Sequence, residues 1–269
     1  MRTVIHISDL HFGRTDPAII EPLITFIQNA APTVVAVSGD LTQRARTIEY
    51  IAAREFLKAI PFPQIVVPGN HDVPLRNPLN RFVKGLQGYR QYITTDMQPF
   101  WGDDEIAIVG VNTARALTWK NGRINRAQLA RLREVLQPIP NERTKIVVTH
   151  HPFDLPAGTE GEVVGRSGVA IKTLAECGVD ILLAGHFHIA DIGYTAKRYS
   201  IAGYSALIVS SGTTISTRGR GQPNSLNLLR IEHPQVTIER YTWRPATNVF
   251  DIFSVEQFIW TEEGWIRRE

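Results

Sequence analysis

Cysteine is almost absent from this 269-residue chain, and the single Cys177 rules out an internal disulfide and fits a reducing compartment. No apolar run approaches the ~20 residues that cross a bilayer, so no membrane association is expected. The opening MRTVIHISDLH meets a carboxylate after a brief apolar stretch, which does not match a secretory signal. The expected location is cytoplasmic. Charge of one sign is also scarce: 29 Lys and Arg against 26 Asp and Glu leave a formal +3. So mild a surplus does not by itself call for nucleic acid, and no stable nucleic-acid complex is expected. Low-complexity linkers and internal repeats are missing as well. What is present is an ordinary globular composition, 43% apolar and 20% charged, long enough for a substantial core.

The first two thirds of the chain alternate β-branched runs with helical patterns. The runs are TVIHIS (3–8), TVVAVS (33–38), QIVVP (64–68), IAIVGVN (106–112), KIVVTH (145–150) and DILLAGH (180–186). Most are continuously apolar, which suits strands covered on both faces. Between them, Ile19, Ile20, Leu23, Ile24 and Ile27 share one helical face, and 50–60 repeats that spacing. Asn125 precedes Gln128 by three residues, as in a capping box, and a helix over 168–177 ends at Gly178. This alternation predicts an α/β layered fold. Residues 73–104, rich in Pro, Gly, Arg and Tyr, read as an inserted lid with a short helix near 79–93. After His188 the chain turns β-rich, with strands expected in YSIAGYSALIVSS, SLNLLRIE, QVTIERYTW and VFDIF. One domain over 1–269, with its β-rich part about 190–269, is the economical reading.

The functional signal lies at the strand ends. The first run leads into Asp9 and His11, the second into Asp40, and the third into Asn70, His71 and Asp72. Run 145–149 delivers His150 and His151, and run 181–184 delivers His186 and His188. Ligands of open α/β sheets bind at the carboxyl ends of the strands, so these loops are expected to converge. Six of the eight histidines fall in them; only His6 and His233 lie elsewhere. Singly, each Asp reads as a turn or cap residue and each His as hydrogen-bonded structure. Five such blocks in one order do not.

SDLH, SGDLT, PGNHD, THHP and AGHFH, spread over residues 8–188, resemble the five blocks of the calcineurin-like metallophosphoesterases. Chain size, the wording of the first two blocks and the segment GRINRAQLARLREVL most resemble the bacterial class III cyclic nucleotide phosphodiesterases, the cyclic-AMP type. The resemblance implies a four-layer αββα sandwich with two central mixed sheets and a binuclear metal centre between them. By that resemblance Asp9, His11, Asp40 and His188 hold one ion. Asp40, Asn70, His150 and His186 hold the other, and His151 lies just outside. Mixed N/O ligation without thiolate suits Mn, Fe, Zn or Co, with Mn and Fe favoured. Two divalent ions, two carboxylates and a bridging hydroxide sum to about +1, so a neutral Asn70 keeps the centre attractive to a phosphodiester.

The same resemblance implies in-line attack by the bridging hydroxide with His71, not a ligand, as general acid. Asp72 either positions that imidazole and raises its pKa, or caps the following turn. The expected partner is a small phosphodiester, most of all a 3′,5′-cyclic nucleotide such as cyclic AMP. A nuclease, a glycerophosphodiesterase and a lipid-precursor pyrophosphatase are the alternatives within the family, and a non-catalytic metal-bound scaffold is the alternative outside it. Substrate contacts are sought in Arg14, Arg44, Asn112, Arg115 and the loop STRGRGQPN (216–224), with Tyr89, Tyr92, Phe100 and Trp101 as stacking candidates. The apolar stretch WRPATNVFDIFSVEQFIW is a candidate homodimer contact.

Overall fold

Short Val- and Ile-rich strands cannot leave either face in water, and in the computed structural model they pair into two mixed sheets covered on both sides. The structure describes residues 1–74, 85–116, 118 and 120–268. The first sheet holds β1 (Arg2–Ile7), β2 (Val34–Val37) and β3 (Gln64–Val66) in parallel. It continues antiparallel through β10 (Ser225–Glu232), β11 (Gln235–Arg244), β12 (Val249–Thr261) and β13 (Gly264–Arg267). The second sheet has a parallel centre of β5 (Ile106–Gly110), β6 (Thr144–Val148), β7 (Ile181–Ala184) and β9 (Leu207–Ser210). Antiparallel edges, β4 (Phe100–Gly102) and β8 (Asp191–Tyr194), close it.

Alternation along each strand divides the core into three. Val4, Val34, Ala36 and Ile65 meet Ile108, Ile146, Val148 and Leu183 between the sheets. Their neighbours Ile5, Ile7, Val35 and Val37 point the other way, onto α1 (Pro17–Ala30) and α2 (Thr47–Lys58). On the outer face of the second sheet, Val109, Val147 and Leu182 pack under α4 (Arg126–Leu136) and α5 (Ser167–Glu176). The layers therefore run αββα. Among the described residues no helix is long and apolar enough to cross a membrane.

Local chemistry sets the helix ends. Asp16 accepts from Ala18 N ahead of Pro17, and the predicted face of Ile19, Leu23, Ile24 and Ile27 is buried. The capping box is reciprocal: Asn125 Oδ1 accepts from Gln128 N at 2.9 Å, and Gln128 Oε1 accepts from Asn125 N at 3.0 Å. Gly178 takes φ +64° directly after α5, as a C′ glycine does.

Other expectations shift. Only Leu207–Ser210 of YSIAGYSALIVSS is a strand, because Gly203 at φ +67° turns the chain before it. The half-buried β8 carries no apolar run and escaped notice, as did β4 and β13. VFDIF is the start of a strand running on to Thr261. Of the helix expected near 79–93, α3 (Gln87–Tyr92) is present, while 75–84 lies outside the described residues.

One tie anchors the C-terminal hairpin to the second sheet. Just before β7, buried Asp180 accepts from Lys145 N at 2.8 Å and from Trp265 Nε1 at 2.9 Å. Burial pushes its carboxyl up to about 6 from 3.8, so between those values the folded chain holds the extra proton and stability falls as pH rises. Trp265→Phe is expected to cost about 1–3 kcal/mol in urea unfolding. Without that donor Asp180 rises further, so the loss is expected to be larger at pH 8 than at pH 4.

Candidate metal centre

The carboxyl ends of β1, β2, β3, β6 and β7 meet at one edge of the sandwich, and the backbone there is unusual. Among the described residues nine non-glycine positions have positive φ, and five belong to this edge: Asp9 (53°), His11 (48°), Asp40 (52°), His186 (76°) and His188 (59°). Such left-handed backbone is uncommon outside glycine and persists where surrounding contacts enforce it. Close approach needs two glycines as well. A Cβ on Gly69 would stand 2.1 Å from Asp40 Oδ1, and one on Gly185 would stand 1.9 Å from Ser8 Oγ and 2.5 Å from Asp9 Oδ2.

Asp9, His11, Asp40 and His188 bring ligand atoms within 4.8 Å of one another, all buried. Asp9 Oδ2 accepts from Ser8 Oγ at 2.7 Å and from His186 N at 3.0 Å, leaving Oδ1 buried with no hydrogen-bond partner. His188 Nδ1–H donates to the Arg218 carbonyl at 2.9 Å, so its Nε2 carries a lone pair. That Nε2 lies 3.2 Å from both His11 Nε2 and Asp9 Oδ1. Asp40 Oδ2 sits 3.7 Å from His11 Nε2.

A second group gathers on the other oxygen of Asp40. His150 Nδ1–H donates to the Ser38 carbonyl at 2.8 Å, which leaves Nε2 bare. Around that nitrogen lie Asn70 Oδ1 at 3.1 Å, His186 Nδ1 at 3.3 Å and Asp40 Oδ1 at 3.4 Å. Asn70 Oδ1 also stands 3.0 Å from His186 Nδ1. His71 N donates to Asp40 Oδ1 at 2.8 Å, and the remaining oxygens and ring nitrogens crowd together so that a cation there would replace the proton that Asp40 favours on His150. The N/O donor set fits borderline transition ions. The same fields appear in the titration of the ligands. Burial works against charge on both His150 and Asp40, yet Asp40 pushes His150 up to about 9, and His150 with His71 holds Asp40 below the usual carboxylate range.

His151 lies beside this group, its ring 4.7 Å from His186, with Nδ1 bonded to Thr113 Oγ1 at 2.7 Å and Nε2 buried without a partner. His6 is apart, on Ser38 Oγ at 2.9 Å. His71 also stands at the edge, ring centroid 4.8 Å from His11. Its Nδ1–H donates to the Gln43 carbonyl at 2.8 Å, and Nε2 accepts from Arg218 Nη1 at 2.9 Å. Burial lowers its pKa.

The expectation that Asp72 positions His71 needs correction. Its Oδ2 accepts from Gly69 N at 2.9 Å and Leu41 N at 3.1 Å, and its Oδ1 from Thr42 N at 2.8 Å and Thr42 Oγ1 at 2.9 Å. The carboxylate is filled by these donors and clamps the β2 and β3 loops together; the Gln43 carbonyl orients the imidazole. Burial and the nearby Asp40 push Asp72 up to about 7. Several substrate candidates are also engaged elsewhere. Arg115 bonds to Gln128 Oε1. Tyr89 is fully buried and donates to Val66 O, Tyr92 stacks on Tyr50, and Trp101 packs against the inter-sheet core. Gln43, the Ser38 carbonyl and Arg218 as an individual residue were not singled out by motif. Gln43 and Ser38 act through backbone carbonyls, which side-chain patterns do not report.

The calcineurin-like phosphoesterase family model matches residues 2–190. A glycerophosphodiester phosphodiesterase GpdQ of Enterobacter lignolyticus is 35% identical over 78 residues, covering 25% of this chain and 28% of that protein. Purple acid phosphatase PPD1 of yellow lupin (Lupinus luteus) superimposes with a TM-score of 0.71 at 12% identity, covering 95% of this chain and 53% of that one. Vps29 of Chaetomium thermophilum gives 0.50 at 12% identity, over 96% and 97%. The chain thus spans little more than a quarter of the curated relative and about half of the lupin protein. With its family model covering all five strand-end blocks, the chain belongs to the calcineurin-like phosphoesterases.

Proposed function

We propose that the chain is a binuclear metal-dependent phosphodiesterase of the cytoplasm acting on small phosphodiesters, with 3′,5′-cyclic nucleotides such as cyclic AMP as the leading class. The observation that carries this reading is the single Asp40 carboxylate, with Oδ2 facing His11 at 3.7 Å and Oδ1 facing His150 at 3.4 Å. In this reading Asp9, His11, Asp40 and His188 hold one ion, and Asp40, Asn70, His150 and His186 hold the other, with Mn or Fe favoured over Zn and Co. When bound, such a pair supplies positive charge against the phosphodiester anion and acidifies water.

The chain's own groups do the rest. Asn70 contributes an oxygen without adding negative charge. His71 is fixed at Nδ1 by Gln43 and turns Nε2 outward, where it passes a proton to the departing alkoxide. Burial keeps that imidazole neutral in the resting site, and the negative charge of an arriving diester favours the protonated form. Asp72 serves by holding the two loops in register. A glycerophosphodiester is the second reading, favoured by the 35% identity to GpdQ. A homodimer contact is proposed on the outer edge of β12, where Ile252, Phe253 and Val255 are exposed and β13 pairs only from Phe258 onward.

With Mn2+, the protein is expected to hydrolyse bis(p-nitrophenyl) phosphate, and Asn70→Ala and His150→Ala to lower that rate on the order of 100-fold or more together with bound metal measured by elemental analysis. Retained activity with metal lost would overturn the reading. His71→Ala should lose on the order of 10²-fold with alkyl leaving groups and little with p-nitrophenolate; equal losses on both would remove its proton-transfer role. In a kcat/KM panel of 3′,5′- and 2′,3′-cyclic nucleotides, linear DNA and glycerophosphodiesters, 3′,5′-cyclic nucleotides should rank first, and a last place would hand the substrate to the second reading.

A further inference from the structure

Three arginines gather at the mouth of this centre with no carboxylate partner of their own. Arg218 is half-buried and donates from Nη1 to His71 Nε2, while its carbonyl takes the Nδ1–H of His188. Arg14, three residues past His11, donates its N–H to the His11 carbonyl at 2.8 Å and accepts from Thr217 N at 2.9 Å, which holds the 216–218 loop beside it. Arg220 follows Arg218 by two; burial acts most strongly on the Arg218 guanidinium, Asp40 and Asp9 attract it from inside the centre, and Arg14 and Arg220 repel it from outside. Among the described residues none of the three is ion-paired with an Asp or Glu side chain. Some arginines elsewhere are ion-paired: Arg133 with Glu176, Arg198 with Asp154 and Arg230 with Glu239.

Asp40 and Asp9 are the counter-charges that act on Arg218, and metal held by those carboxylates would cancel their attraction; the repulsion among the three guanidiniums would then be relieved by an anion. A metal pair on two carboxylates already balances a monoanionic diester, so three added guanidiniums exceed what the scissile phosphate needs. Guanidinium forks match phosphate oxygens in geometry and keep their charge. Arg218 lies against the catalytic imidazole, and Arg14 and Arg220 are exposed around it.

We propose that Arg14, Arg218 and Arg220 form a subsite for a second phosphate of the substrate, so that the preferred diesters carry an additional phosphate beside the one cleaved. This rests on the phosphodiesterase reading but not on which diester is favoured. Arg218 is the inner member, shifting its donation from His71 to the bound phosphate; the freed Nε2 lone pair can then take up a proton from solvent, which the imidazolium passes to the leaving alkoxide.

The test compares the linear dinucleotide ApA with its 5′-phosphorylated form pApA on the metal-loaded enzyme. At low salt the kcat/KM ratio is expected to favour pApA by about tenfold or more, the effect of one good charge-assisted contact. The ratio should fall toward one in Arg220→Gln, Arg14→Gln and Arg218→Gln, recover in part in Arg218→Lys, and stay at the wild-type value in Arg131→Gln, a surface control on α4. Isothermal titration should show adenosine 3′,5′-bisphosphate binding more tightly than AMP, with the difference reduced in the same three variants. A wild-type ratio near one, or a ratio unchanged by all three substitutions, would overturn the subsite while leaving phosphodiesterase activity in place. Failure to cleave ApA, pApA and bis(p-nitrophenyl) phosphate alike would instead remove the reading beneath it.

Discussion

Asp40 has to be buried, ionised and open on two sides at once, and much of the chain answers to that requirement. Burial alone would favour its neutral form. His71 N–H donates to Oδ1 at 2.8 Å, and imidazoles flank both oxygens, so the charge is held where water does not reach it. Gly69 leaves the space into which that carboxylate turns. Asp72 then locks the loop bearing Asp40 to the loop bearing Asn70 through three backbone amides and a threonine hydroxyl. Two carboxylates thus divide the labour: one faces the site, the other holds the loops that form it.

The sandwich supplies the rigidity this needs. Each site loop leaves a strand whose side chains interdigitate with a layer on either side, between the sheets and under a helix pair. Interiors packed to that density do not drift by fractions of an ångström, and metal ligation tolerates little drift. Around the centre the supporting contacts are largely to backbone carbonyls: Ser38 for His150, Arg218 for His188 and Gln43 for His71. Each fixes a tautomer and aims the opposite ring nitrogen into the site.

The layered architecture and the convergence of the strand ends were legible because both follow from periodicity. Val4 and Ile5 sort to opposite faces by alternation alone, and a carboxyl-end loop has few places to go. The capping box at Asn125 was legible for a related reason: its partners are three residues apart. Asp72 was not. Neighbours in sequence suggested a link to His71, whereas a carboxylate goes where several donors converge, and all of those donors but Gly69 N lie about thirty residues away on Leu41 and Thr42. Tyr89 and Tyr92 misled in the same manner, since an aromatic in a Gly- and Arg-rich segment reads as exposed until α3 is seen packed on α2. Edge strands such as β8 carry too little apolar contrast to announce themselves.

The left-handed backbone at Asp9, His11, Asp40, His186 and His188 bears on how portable such a centre is. Copying the same side chains onto the strand ends of another parallel sheet would not reproduce it. In a right-handed or extended conformation those Cα–Cβ bonds would aim elsewhere, and no rotamer would bring Nε2 and Oδ atoms back to one point. What a graft would have to carry is the peptide path itself, with its glycines and its carbonyl braces, before any imidazole or carboxylate is added.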